Sequence, residues 1–284
     1  MHLGNFQIDI VSDGSLWLDG GAMFGVVPRV MWEKVCPPDD SNRVRLGLNC
    51  VLARTGEKNI LIDTGVGTKW TEKQRAIYNI THETTIIDSL ARLGLAPEDI
   101  DIVVNSHLHF DHCGANTTIR DGRIEPTFPN ARYLVQRGEY EHACSPNERD
   151  RASYLKENWE PLLEAGQLEF IDGDCEIAPG VFLEVVPGHN KNMMCARIES
   201  GGETVFCFFD LVPMTHHLAL PWIMAYDLTP VETLEQKKRL IPQAIRERWL
   251  CIFYHDHRMP VARVIEEDGK VKAVSITNLR RAPE

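Results

Sequence analysis

Residues 105–114 read Asn-Ser-His-Leu-His-Phe-Asp-His-Cys-Gly, so three imidazoles (His107, His109, His112) and the carboxylate of Asp111 fall within one short stretch. That mixture of nitrogen and oxygen donors suits Zn²⁺ and similar divalent ions. His107 and His109 are two apart, and in extended backbone both rings project to the same side. Asp111 and His112 follow where the chain turns into Cys113-Gly114-Ala115, and can aim at a second point close by. Downstream, the apolar run 182–186 leads through Pro187-Gly188 to His189, run 204–209 ends in Asp210, and run 250–254 ends in His255. Proteins of mixed α/β class build sites at the carboxyl ends of strands. A solvated loop with ordinary histidines would explain the first cluster but not the repetition. His257 lies two beyond His255 and is the alternative ligand, with strand position favouring His255. His216 and His217, just past Asp210, read either as loop surface or as facing a substrate. His2, His82 and His142 have no sequence partner and are expected at the surface.

The elements that must position these residues are mostly short strands. Residues 6–11 and 16–18 read as strands, and 44–54 with 59–62 as a hairpin turned at Thr55-Gly56-Glu57-Lys58. Residues 84–93 read as a helix with Ile86, Ile87, Leu90 and Leu93 on one face and Gly94 as its stop. A buried strand over 100–104 delivers the histidine cluster, and 131–135 is a further strand. Residues 149–165 and 231–248 are helical candidates, with Pro242 a break or kink in the second. Residues 261–265 and 271–276 flank Glu267-Asp268-Gly269 as a closing hairpin. Strands outnumber helices and both recur throughout, which gives an α/β class with helices covering sheets. No repeat or linker marks a boundary, so the expectation is a single domain over 1–284, with an apolar N-terminal loop at 19–35.

Composition narrows the function. The 284 residues carry a formal net charge of −11, which argues against a nucleic-acid partner and a polybasic membrane anchor. No apolar run approaches the roughly 18–20 residues of a spanning helix, and the first residues lack a signal-peptide pattern. The eight cysteines form no C-x-x-C pair and read as reduced thiols filling the core, in a cytoplasmic protein.

The H-x-H-x-D-H run followed by lone His, Asp and His at strand ends resembles the metallo-β-lactamase superfamily of binuclear metallohydrolases. Asp63-Thr64-Gly65 is similar to that superfamily's usual aspartate turn. The resemblance implies a four-layer αβ/βα sandwich and two divalent metal ions per chain, Zn²⁺ by preference. His107, His109 and His189 would hold one ion; Asp111, His112 and His255 the other; Asp210 would bridge. Asp63 would orient the metal loop or simply make a structural turn.

Two outer segments resemble the quorum-quenching N-acyl-homoserine-lactone lactonases, in their longer YtnP-like branch. They are Asp19-Gly20-Gly21-Ala22-Met23-Phe24-Gly25-Val26-Val27-Pro28 and the stretch from Asp210-Leu211-Val212-Pro213 to Ala225-Tyr226-Asp227. That resemblance implies lactone-ring opening by a metal-held hydroxide, with Asp111 passing a proton to the leaving ring oxygen. Met23, Phe24, Val26 and Val27 would wall one side of an acyl site; Met193, Leu220, Trp222 and Ile223 would wall the other. Segment 19–35 would serve as a pocket or homodimer element. Two departures stand out: Pro213 occupies the position of a substrate-binding tyrosine, for which Tyr226, His216 or His217 would substitute, and His189-Asn190-Lys191-Asn192 lacks the common G-H-[ST]-x-G-H form. The alternatives are a phosphotriesterase-like hydrolase or a thioesterase on the same site and, outside enzymes, a metal-stabilised scaffold that binds a signal molecule.

Overall fold

A computed structural model describes residues 1–275. The chain forms two compact units, each assembled from two stretches of sequence. The first takes Met1–Leu16 and Leu48–Cys175, and the second takes Trp17–Gly47 and the described residues from Glu176 to Ser275.

One seven-stranded sheet has the order His2–Leu3, Phe6–Asp19, Arg43–Arg54, Asn59–Ile62, Ile102–Val104, Arg132–Gln136, Leu168–Ile171. Its last four strands run parallel, with Ile62 opposite Val104 and Val104 opposite Leu134. Parallel strands buried on both faces read as continuous apolar runs, and Ile60, Leu61, Ile62, Val103 and Val104 are all fully buried. The other seven-stranded sheet runs Cys175–Ala178, Val181–Val185, Met194–Ser200, Glu203–Cys207, Leu250–Ile252, Val261–Glu267, Lys270–Ser275. Within it Glu203–Cys207 and Leu250–Ile252 pair in parallel, with Cys207 opposite Ile252. That register carries two chain segments out of the same sheet end in step, so Asp210 and His255 each lie three residues beyond a paired position.

Several expected boundaries shift. Residues 6–11 and 16–18 join in one 14-residue strand, Phe6–Asp19. The 19–35 loop holds two short helices, Gly20–Phe24 and Arg29–Trp32. The helix expected over 84–93 is Ile86–Ala91, capped by Thr85 with Asp88 in a reciprocal capping box, and Ile87 faces outward. Residues 149–165 are not one helix: they break into turns at Arg151–Ser153 and Lys156–Asn158 and a short helix, Glu160–Glu164. Pro161 cannot donate to the carbonyl four residues back, and that carbonyl, on Glu157, accepts from Thr117 Oγ1 instead. The final long helix, Pro230–Arg246, runs on through Pro242. The closing hairpin forms around Asp268-Gly269, while Ile276 of its predicted second strand lies outside the described residues. Six of the cysteines are buried; Cys144 is exposed and Cys175 half-buried.

Candidate metal centre

In the first unit the strand Ile102–Val104 ends at Asn105, and the histidine cluster follows at once. Ser106, His107, His109, Asp111 and His112 are all buried. The ring centroid of His107 lies 4.5 Å from that of His109 and 4.0 Å from that of His112. Asp111 and His112 lie in the single-turn helix Phe110–Cys113, where His112 and Cys113 both donate their amides to His109 O. Behind this turn Gly114 packs so closely on Val66 that a Cβ would sit 2.2 Å from the Val66 carbonyl oxygen.

Asp63 leaves the neighbouring parallel strand with φ 57° and anchors its own amide on Val104 O at 2.8 Å. Its carboxylate accepts from Ser106 N (2.7 Å), Ser106 Oγ (2.7 Å) and His112 Nδ1 (2.8 Å). Burial holds the Asp63 carboxyl above its ordinary value, against the opposing pull of His112 and the Ser106 donors. The Ser106 hydroxyl proton is spent on Asp63, so the contact of Ser106 Oγ with His107 Nδ1 at 3.0 Å needs the imidazole to donate. Both rings are thereby held as Nδ1–H tautomers, which leaves each Nε2 a lone pair for a metal.

The second unit repeats the device with different parts. His189 Nδ1 donates to Asp227 Oδ1 at 3.0 Å, and Asp227 Oδ2 accepts from Thr233 Oγ1 at 2.7 Å. His255 Nδ1 donates to Gly47 O at 3.0 Å. Each remaining Nε2 faces one oxygen of Asp210: His189 to Oδ2 at 3.2 Å, His255 to Oδ1 at 3.3 Å. A lone pair facing a carboxylate oxygen demands a cation, either a second ring proton or a shared metal ion. Imidazole and carboxylate donors with their outer nitrogens already oriented fit divalent metals.

Of the other residues read from sequence, His257 is half-buried, and His255 is the member of that pair that faces Asp210. His217 is fully buried: its Nε2 lies 2.8 Å from Met23 O, its ring stacks on Phe24, and burial holds it neutral with a pKa of about 3. His216 is half-buried, and burial lowers its pKa. Met23, Phe24 and Met193 are core residues, Trp222 and Ile223 are half-buried, and Val26, Leu220 and Tyr226 are exposed. His2 is exposed as expected. His82 and His142, expected at the surface, are half-buried, and His142 Nε2 lies 2.6 Å from Asp150 Oδ2.

Three supporting residues carry no sequence signal. Asp227 is 38 positions from the imidazole it orients. Glu139 is buried and accepts from Leu108 N (2.9 Å), between His107 and His109, and from Tyr154 OH (3.2 Å). The Tyr154 ring in turn stands edge-on to His109 at 4.8 Å.

Residues 44–243 match the family model for the metallo-beta-lactamase superfamily. The chain belongs to that superfamily. Two curated relatives are an N-acyl homoserine lactonase of Bacillus cereus and the N-acyl homoserine lactonase AttM of Agrobacterium fabrum. The first is 34% identical over 56% of this chain and 61% of its own length. The second is 40% identical over 60% of this chain and 63% of its own length. The chain thus spans about three-fifths of the length of these relatives. Among solved structures, a probable metal-dependent hydrolase from Staphylococcus aureus aligns over 97% of both chains with a TM-score of 0.90 and 32% identity. An N-acyl homoserine lactone hydrolase with N-hexanoyl-L-homoserine bound at its catalytic metal centre aligns over 90% of this chain and 95% of its own, with a TM-score of 0.69 and 27% identity. The metallo-β-lactamase fold expected from the motif is the fold of this chain.

Proposed function

We propose that this chain is a two-metal hydrolase that opens the ring of N-acyl homoserine lactones. The observation that carries the reading is Asp210, whose two carboxylate oxygens each face a different oriented imidazole. That is the arrangement a bridging ligand requires, and it stands beside the similarity to lactonases.

His107, His109 and His189 would hold one ion, Asp111, His112 and His255 the second, with Asp210 common to both. Zn²⁺ is the ion the donor set favours. When bound, such a pair supplies Lewis acidity, lowering the pKa of a water and polarising an ester carbonyl. The chain's own residues do the rest. Asp63, Ser106, Asp227 and the Gly47 carbonyl fix the imidazole tautomers. Asp111 takes the proton that the attacking water gives up and passes it to the ring oxygen as that oxygen leaves. Trp222, Tyr226 and His216 form the substrate contacts, Trp222 meeting the acyl chain, and the buried Met23 and Phe24 back that wall from the core. In place of the tyrosine absent at Pro213, Tyr226 or His216 takes the acyl carbonyl.

The eight free cysteines support a reducing, cytoplasmic setting. No helix among the described residues is long and apolar enough to cross a membrane. Val26, Val30 and Met31 are exposed apolar residues around the second N-terminal helix, and a homodimer contact there accounts for them. A monomer by light scattering at micromolar concentration removes that contact.

The test is pH-stat hydrolysis of C4 to C12 homoserine lactones by the zinc-loaded protein, with paraoxon and a glutathione thioester alongside. Lactone turnover that a chelator abolishes and added metal restores is the expected result. Two ions bound per chain without lactone turnover would discard the substrate and keep the metallohydrolase.

A further inference from the structure

Helix Pro230–Arg246 carries Lys237 with no exposed surface. Its ammonium donates to three carbonyls of one segment: Ala219 O at 2.8 Å, Leu220 O at 3.2 Å and Trp222 O at 2.8 Å. A lysine ammonium has three donors, and all three are spent on this segment. Burial pulls its pKa down to about 7, against the opposing pull of Asp227. A buried charge is costly, and an apolar side chain of similar volume would serve packing better. What the ammonium adds is a fixed path for residues 219–222. That path ends at Trp222, whose half-buried indole stands edge-on to Phe24 at 5.6 Å. Phe24 in turn stacks between His217 and Trp32, at 5.0 and 5.2 Å.

Thr233 lies one helical turn before Lys237, and residues four apart share a helix face. Thr233 supports Asp227 and through it the His189 ring. One helix face therefore holds a candidate metal ligand with one residue and the Trp222 segment with the next.

We propose that Lys237 is a positioning residue for acyl-chain selection: by tying three carbonyls of residues 219–222 it fixes the Trp222 indole. The proposal rests on the reading of Trp222 as an acyl contact. It predicts that the two residues on this face control different properties, chain length for Lys237 and metal retention for Thr233.

The experiment uses full-length protein labelled with 5-fluorotryptophan, the Trp222 ¹⁹F resonance being assigned with Trp222→Phe. In Lys237→Met that resonance shifts or broadens while the Trp159 resonance, from the first unit, stays in place. In lactone assays of the zinc-loaded protein, the KM for C10 rises about threefold more than the KM for C4, with kcat nearly unchanged. Lys237→Arg, which keeps the charge and the donors, recovers most of the C10 to C4 ratio. Thr233→Val releases zinc faster to a chelator and leaves that ratio alone. If Lys237→Met fails to fold, Lys237→Gln takes its place with the same readouts. An unmoved Trp222 resonance, or a KM raised equally at all chain lengths, overturns the proposal. If the wild type turns over no lactone, the lactonase reading falls by itself, and the ¹⁹F arm still decides whether Lys237 positions Trp222.

Discussion

The two units hold their candidate ligands by opposite means. In the first, His107, His109, Asp111 and His112 come from one stretch of chain, and a single carboxylate, Asp63, sets the tautomers of two rings through Ser106 and His112. In the second, His189, Asp210 and His255 come from three separate segments, and each imidazole has its own anchor, Asp227 or the Gly47 carbonyl. The first arrangement is local and depends on one buried acid. The second depends on sheet register, since Asp210 meets His255 only because Cys207 pairs with Ile252. A compact motif thus concentrates its vulnerability in one residue outside the ligand set, and a dispersed one spreads it.

The sharpest way to break this comparison is at the residue where the dispersed ligands meet. Asp210→Ala removes a carboxylate that faces two imidazoles, so metal content measured by atomic emission falls from two ions per chain to fewer than about one. Lactone turnover falls by about 10³-fold or more, the scale of losing a nucleophile-generating metal site. Near-normal metal content in a folded Asp210→Ala protein would mean that Asp210 bridges nothing. Asp111→Asn should keep the fold and lose turnover by about 10²–10⁴-fold, the range for a general acid.

One step out, the anchors test the asymmetry itself. Loss of an outer partner of a metal-bound histidine costs about 10–100-fold in metal affinity. Asp63→Ala should reach the upper end, since it releases two rings, and Asp227→Ala the lower end, since it releases one. Competition against a chromophoric zinc chelator measures both. Equal losses would show that Ser106 holds His107 without help from Asp63.

How much of this was legible before the structure follows the same division. The His107–His112 cluster declares itself in sequence because its donors are adjacent and follow an apolar strand. His189, Asp210 and His255 were readable because each ends an apolar run, so pattern stood in for register. The anchor Asp227 was not readable: it lies in a loop that Leu228 N to His189 O (2.9 Å), Thr229 N to Gly188 O (3.0 Å) and the close packing of Gly188 on Thr233 bring back to His189. The buried roles of His217 and Lys237 were hidden for a related reason. Their residue types suggest surface, and burial is decided by partners distant in sequence. Helix boundaries over 149–165 failed because apolar spacing gave no weight to the donor that Pro161 lacks.

Each unit has a further buried acid, and the two are pushed in opposite directions: at Asp256 of the second unit burial is outweighed by hydrogen-bond donors, which hold it below the ordinary carboxylate range, whereas burial wins at Asp13 of the first. Asp13 accepts from Gly67 N at 2.7 Å and Ile86 N at 2.8 Å, and burial pushes its pKa up to about 7. A carboxyl with a raised folded-state pKa binds its proton more tightly folded than unfolded. Its contribution is therefore present in full below the unfolded value, 3.8, and is lost as pH rises towards 7. Between about pH 5 and about pH 6.5 the wild type should lose roughly 2 kcal/mol of unfolding free energy relative to Asp13→Asn. Urea melts of both metal-free proteins at the two pH values give the difference. Parallel pH dependences would mean that Asp13 is ionised throughout.

The smallest expected effect lies at the edge of the second unit's aromatic cluster. Phe24 is fully buried, so Phe24→Ala opens a cavity, and any change in substrate preference is confounded with a stability loss of about 3–5 kcal/mol. Trp222 is half-buried and touches Phe24 only edge-on, which makes it the cleaner probe. Trp222→Ala should raise the KM for C10 lactones about fivefold over that for C4 and leave kcat alone, the signature of lost uniform binding. Because the candidate metal ligands are untouched, chelator competition should give the wild-type affinity. A matching rise at C4 would move Trp222 from the acyl chain to the lactone ring, and would place chain-length selection elsewhere in the molecule.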